Sequence, residues 1–177
     1  MANAGETLEN PVTSERITFR KTAADTNGEA LEYEIVFRPS GFVTQEHLHP
    51  QQEERHEVVS GSLGLSVDGE DRVLNAGDVV VVPRGTAHRL FPVGEEPVHA
   101  VFESRPALRS EALIETIVRL AREGKLNRKG RPGLLQLAVI AREFEDEGYP
   151  TKPPLPVQRA LFGPLAALGR LRGYSTR

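Results

Sequence analysis

Five histidines are spread through the 177-residue chain, His47, His49, His56, His88 and His99, and three of them fall between positions 47 and 56. His47 and His49 stand two apart, the spacing at which a strand turns both rings to one face. A short stretch, residues 50–53, separates them from Glu54. If the chain reverses there, the Glu54 carboxylate faces the same two rings. His88 arrives from a later stretch, directly behind the turn signal Pro83-Arg84-Gly85. Three imidazoles and a carboxylate converging inside a barrel make a nitrogen/oxygen site for a first-row divalent metal. Imidazole suits iron, nickel, copper and zinc, and the carboxylate adds a hard oxygen that also admits manganese. Four protein ligands leave about two positions of an octahedral shell open, which is what an ion needs to polarise a substrate or hold dioxygen. The chain has no cysteine, which excludes disulfides, thiolate zinc sites, iron–sulfur clusters and a cysteine nucleophile.

The neighbouring residues sort by alternation. His56, two after Glu54, should face the same interior. It is the candidate catalytic proton carrier, because imidazole titrates near physiological pH; the plainer reading is a hydrogen-bonded lining residue. Glu53 competes with Glu54 as ligand, and the alternation favours Glu54. Gln45 precedes His47 by two and is expected to face inward with it. Arg55 and Glu57 alternate outward, and His99 reads as structural. Arg84 lies in the turn before His88, where it is either exposed or placed to grip an acidic substrate. Tyr33, Phe37, Phe42, Phe91 and Phe102 read as core or cavity wall.

These residues need strands to carry them. Residues 31–38 alternate, with Tyr33, Ile35 and Phe37 on one side, and period two means a strand. Further short strands are expected at 17–20, 43–49, 54–60, 63–67, 72–74, 79–82, 88–91 and 98–103. They are punctuated by Gly and Pro, including a turn at residues 39–41, and Asp68-Gly69 is a strong hairpin signal. The four valines at 79–82 read as a buried strand. Beyond residue 104 the pattern turns helical: helices are expected at 108–122 with Ser110 as N-cap, at 134–144 behind Pro132 as first helical residue, and at 157–171, interrupted at Gly163-Pro164. Charge divides at the same place. Residues 1–104 carry net −10 and residues 105–177 net +7. Strands followed by helices read as a β domain with a helical appendage. The expected organisation is a flexible N-terminus (1–14), a β-barrel (15–104) and a helical C-terminal extension (105–177). That extension should pack on the barrel or on a dimer partner through Val157, Leu161, Leu165, Leu168 and Leu171, with Arg159 and Arg170 opposite. Docking of the last helix on a membrane surface is the weaker alternative. A net charge of −3 gives no sign of nucleic-acid binding. The polar, acidic first residues have no basic region followed by an apolar one, so a cytoplasmic location is expected.

The segment resembles the cupin superfamily. The first cupin motif, G-x5-H-x-H-x4-E-x6-G, is matched by Gly41, His47, His49, Glu54 and Gly61. The second, G-x5-P-x-G-x2-H-x3-N, is matched by Gly77, Pro83, Gly85 and His88, with Pro92 where Asn is usual. The resemblance covers residues 30–104. It implies a mainly β, double-stranded β-helix (jelly-roll) barrel of the small single-domain cupin-2 type, a metal held by His47, His49, Glu54 and His88 as in germins, and a homodimer. The function expected from it is a mononuclear-metal, dioxygenase-like oxidoreductase acting on a small organic molecule. The alternatives are a metal-assisted isomerase or cyclase, or a binding barrel without catalysis; this fold hosts all three.

Overall fold

Strands that are apolar at every second position bury that face by stacking two sheets, and this is the arrangement found. The computed structural model describes residues 2–38 and 44–176. Gly41, Phe42 and the turn at 39–41, and Arg177, lie outside them. The strands are β1 (Thr7–Glu9), β2 (Arg16–Lys21), β3 (Leu31–Phe37), β4 (His47–Leu48), β5 (Glu53–Ser60), β6 (Ser62–Val67), β7 (Glu70–Asn75), β8 (Val79–Val82), β9 (His88–Pro92) and β10 (Val98–Arg105). Helices α1 (Ser110–Arg122) and α2 (Leu134–Glu143), strand β11 (Tyr149–Pro150) and helix α3 (Leu155–Leu171) follow. One sheet runs β1-β2-β3-β10-β5-β8 and the other β11-β4-β9-β6-β7. Their pairings are antiparallel, the pattern of a jelly roll. Between them lies an apolar core that includes Ile35, Phe37, Val58, Leu63, Leu65, Val82, Leu90 and Phe102. The β6–β7 hairpin turns on Asp68 and Gly69, both with positive φ (49° and 86°), as a tight two-residue connection requires.

The structure departs from the sequence expectations at five places. The segment expected to be a flexible N-terminus carries β1, paired to β2, with Ala2 and Leu8 buried against Phe19 and Val118. A three-residue strand is too short to show a period. The four valines of β8 alternate instead of being buried together: Val79 and Val81 are half exposed and Val82 is buried, because β8 lies at a sheet edge with one face to solvent. At the start of α1 the N-cap position is Arg109, and Ser110 makes no cap. Its hydroxyl is engaged by the buried Gln52, whose amide donates to Ser110 Oγ (2.8 Å) and to the carbonyls of Pro106 (2.8 Å) and Ala107 (3.1 Å). Pro132 bridges back to Leu126, and α2 starts after Gly133.

Helix α3 runs unbroken through Pro164 and docks on α2 by a different face from the expected one. Gln158, Ala166 and Gly169 are its buried residues, with Phe162 and Leu165 partly covered. The small side chains decide this. A Cβ on Gly169 would stand 2.9 Å from Val139 Cγ2 and 3.0 Å from the Leu135 carbonyl oxygen. Arg159 and Arg170 then reach Glu145 (2.6 Å) and Glu143 (3.1 Å), while Val157, Leu161, Leu168 and Leu171 are left exposed. No helix among the described residues is long and apolar enough to cross a membrane.

Gly61 is a glycine the barrel needs for both its conformation and its space. Its φ is +81° and an added Cβ would lie 2.5 Å from the Pro97 carbonyl oxygen, whereas Gly69, at φ +86°, has open space around it. Gly61→Ala should therefore cost about 3 kcal/mol and Gly69→Ala about 1 kcal/mol in urea unfolding. Equal losses would contradict the close approach at Gly61.

Candidate metal centre

The site is assembled from both sheets. On one, β4 and β9 are neighbours, and the register sets His47 directly opposite His88. His49 follows one residue after the end of β4. On the other, Glu54 and His56 alternate inward from β5, next to Ser104 and Phe102 of β10. Residues 49–52 carry the chain from one sheet to the other. One ligand atom from each of His47, His49, Glu54 and His88 lies within 4.8 Å of the others. The four residues singled out by spacing are thus brought together, with ring centroids 4.4 Å apart for His47–His88 and 4.9 Å for His47–His49.

Each ligand histidine is oriented through Nδ1 by a backbone carbonyl: His47 by Gln45 (2.7 Å), His88 by Thr86 (3.0 Å) and His49 by Glu147. Such contacts fix the tautomer and leave Nε2 for the centre. Glu54 Oε2 is the hub. It lies 3.1 Å from His88 Nε2 and 3.4 Å from both His49 Nε2 and His56 Nε2, while Ser104 Oγ donates to Oε1 (3.4 Å). His49 Nε2 is buried and makes no hydrogen bond. His88 faces acceptors on both sides, Thr86 O and Glu54 Oε2, which a neutral ring with one proton cannot satisfy together. A cation at the centre resolves both features, so the donor set fits a divalent ion.

The electrostatics agree. Burial, with the nearby His88 and His49 rings, lowers the His47 pKa to about 4, keeping a lone pair free. Burial opposes ionisation of Glu54, but the surrounding His49, His56 and His88 outweigh it and hold the carboxyl well below its usual range. Burial likewise opposes the charge on His88, but the Glu54 carboxylate overcomes it and raises the pKa, so an ion binding at the centre has to displace a proton from this ring. The four residues can therefore bind a metal.

The other expected residues fall as follows. His56 is buried (1% exposed) and edge-on to Phe102 at 4.5 Å; it lines the cavity beside the centre, with its Nε2 3.4 Å from Glu54 Oε2. Gln45 is exposed and contributes only its carbonyl, because residues 44–46 are not in a strand and alternation does not reach it. Glu53 and Arg84 are exposed. Arg55 and Glu57 pair with each other on the outer face (2.8 Å), and His99 lies 3.3 Å from Glu34.

A cavity of about 240 Å³ opens beside His47, His49, Glu54 and His56. Its walls are mostly apolar (Ile17, Ile35, Leu90, Phe102) and it is closed by Leu113, Ile114, Ile117 and Val118 of α1. A second lobe of about 260 Å³ shares His47, His49 and Glu54 and is bounded by Glu147–Pro150. Polar groups are few: Tyr33 and Thr44, with Asn10 and Glu15 near the β1–β2 turn. Burial raises the Tyr33 pKa, helped by the charges of Glu54 and Glu15, and burial also raises that of Glu15. Sequence reasoning missed Glu15, Asn10 and the α1 wall. The amphipathic pattern of α1 was visible in the sequence, but not what it covers.

A two-sheet jelly roll with three imidazoles and one carboxylate converging between its sheets is a small β-barrel with a candidate metal centre. Comparison with known proteins gives the family. Residues 33–102 match the model of the cupin domain, and the barrel of this chain is a cupin domain. Among curated relatives, the polyketide synthase CurC of Streptomyces cyaneus is 37% identical over 71 residues, covering 40% of this chain and 46% of the relative. The oxidoreductase iacF of Pestalotiopsis fici (strain W106-1 / CGMCC3.15140) is 45% identical over 47 residues, covering 26% and 23%. The chain thus spans less than half the length of either relative. The structure of KdgF from Halomonas sp. aligns with TM-score 0.52 at 18% identity, covering 62% of this chain and 96% of that one, a likeness of fold.

The double variant His49→Ala/Glu54→Ala should stay folded by circular dichroism and lose stoichiometric Co²⁺ uptake, measured by elemental analysis after dialysis. Unchanged metal content would refute the ligand set.

Proposed function

We propose that the chain is a mononuclear-metal oxidoreductase of the dioxygenase type, acting on a small organic molecule with vicinal oxygens. His47, His49, Glu54 and His88 would hold one divalent ion, iron, manganese, nickel, copper or zinc. The observation that carries this reading is the convergence of three Nε2 atoms and one carboxylate at the edge of a mostly apolar cavity. Similarity to an oxidoreductase over 47 residues supports it. When bound, the ion supplies Lewis-acid polarisation and a template for the reactants.

The chain's own residues do the rest. Ile17, Ile35, Leu90 and Phe102 hold the carbon skeleton of the substrate, and the apolar face of α1 keeps water out. His56 takes or returns a proton at Nε2: its ring is buried, lies 3.4 Å from the Glu54 carboxylate and lines the same cavity. Its neighbour Phe102 fixes the ring edge-on. A homodimer and a cytoplasmic location belong to the proposal, the first supported by the exposed apolar side chains of α3.

A second reading, non-redox isomerisation or cyclisation of a carbonyl compound, is favoured by the similarity to a polyketide synthase protein over 71 residues. Oxygen uptake separates the two. The metal-loaded protein should consume dioxygen with at least one of a panel of catechols, flavonols and diketones. Solvent deuterium entering a carbonyl substrate without oxygen uptake would favour the second reading, and tight binding without turnover would overturn both. On a turned-over substrate, His56→Gln should lower kcat about 10²-fold at unchanged metal content. An unchanged kcat would remove His56 from the chemistry.

A further inference from the structure

The helical extension, outside the matched cupin segment, reaches into the metal centre. After α2 the chain runs through Glu147 and Gly148 into β11, which adds a strand to the sheet edge at β4, setting Tyr149 opposite Leu48 and Pro150 opposite His47. Thr151 extends the pairing, its backbone N–H donating to the Glu46 carbonyl (3.2 Å) and its hydroxyl to the Glu46 side chain. The strand carrying the His-x-His pair is therefore held between β9, which bears His88, and a segment from 100 residues further along the chain.

Two contacts on that segment address a single ring. The Glu147 carbonyl accepts from His49 Nδ1. Gly148 stands close to the same imidazole: an added Cβ would lie 3.1 Å from Nδ1 and 3.2 Å from Cε1. Glu147 is itself fixed. It is 2% exposed, and its Oε1 accepts from both the backbone N–H and the Nε of Arg109, each at 3.1 Å. Arg109 also pairs with Glu143 at the end of α2 (3.0 Å) and stacks over Phe144. Since Arg109 is the N-cap position of α1, one side chain joins the helix that closes the cavity to the loop that orients His49.

We propose that the C-terminal extension is a working part of the metal centre, with Glu147 and Gly148 as positioning residues for His49 and Arg109 as the latch that holds them. The proposal rests on the metal reading above. Without the extension, β4 is a two-residue edge strand and the His49 ring is free to rotate about χ1 and χ2. With it, Nε2 of His49 is aimed at the hub on Glu54. Partners of this kind typically alter metal affinity by about 10–100-fold.

The test uses the full chain, stripped of metal. Co²⁺ affinity is read by calorimetry and ligand geometry by the visible absorption of bound Co²⁺. The His49 tautomer is read from ¹⁵N–¹H correlations in the metal-free protein, and folding from circular dichroism. Gly148→Ala should press on the His49 ring, weaken Co²⁺ binding about 10-fold or more and change the absorption spectrum. Arg109→Ala should do the same from further away, with Arg109→Lys recovering part of the loss. In the wild type His49 should carry its proton on Nδ1. Wild-type affinity and spectrum in both folded variants would overturn the proposal, as would a His49 proton on Nε2. If the wild type takes up no Co²⁺, the metal reading fails, and the tautomer still decides whether the clamp on His49 exists.

Discussion

A carboxylate enclosed by three imidazole nitrogens is the interaction around which the site, its loops and its cavity are arranged. Glu54 Oε2 has His49, His56 and His88 within 3.4 Å, all inside a fold whose surroundings are otherwise apolar. An ionised carboxylate in such a place is tolerated only when it is paired. The histidines pair it, and their remaining nitrogens must then be satisfied elsewhere. For His49 and His88, and for His47 beside them, this is done by backbone carbonyls, from the loop before β11, the turn before β9 and the chain before β4. The polar centre therefore dictates where three separate loops run. The two sheets supply opposite halves of it, so it exists only when both are stacked in register.

The helices are bound into the same scheme. Helix α1 is tied to the crossover between the sheets by Gln52 and provides the apolar wall of the cavity. Helix α2 leads into the segment that meets His49, and α3 braces α2 through the close approach at Gly169. What sequence composition separates into an acidic β part and a basic helical part is physically one barrel with its mouth covered and one ligand strand paired by its own C-terminal chain.

The legible parts were those written in local pattern. Alternation in 31–38, the Asp68-Gly69 hairpin, the His-x-His spacing and the two glycine- and proline-framed motifs all act within a few residues, and they led to the barrel and to the four ligand candidates. Features that depend on which distant segments meet were not legible. Strand β11 is two residues long and has no period, so nothing in its sequence announces that it pairs with β4. Glu15 enters the cavity because β1 pairs with β2, and β1 itself is too short to read. On α3 the leucines form the more regular stripe, yet Gly169 and Ala166 settle the packing, since close approach of two backbones contributes more contact than a line of larger side chains held further apart. Alternation put His56 on the inward face with Glu54, but the edge-on contact with Phe102 comes from the pairing of β5 with β10, which strand alternation alone does not give.

The most direct measurement is anomalous diffraction from a crystal of the full chain loaded with Co²⁺, with data collected at the cobalt edge. The account predicts one peak per chain, about 2.0–2.2 Å from Nε2 of His47, His49 and His88 and from a Glu54 carboxylate oxygen. A map with no peak between these residues, or one in which His88 turns away and the ion is held by other groups, would contradict it.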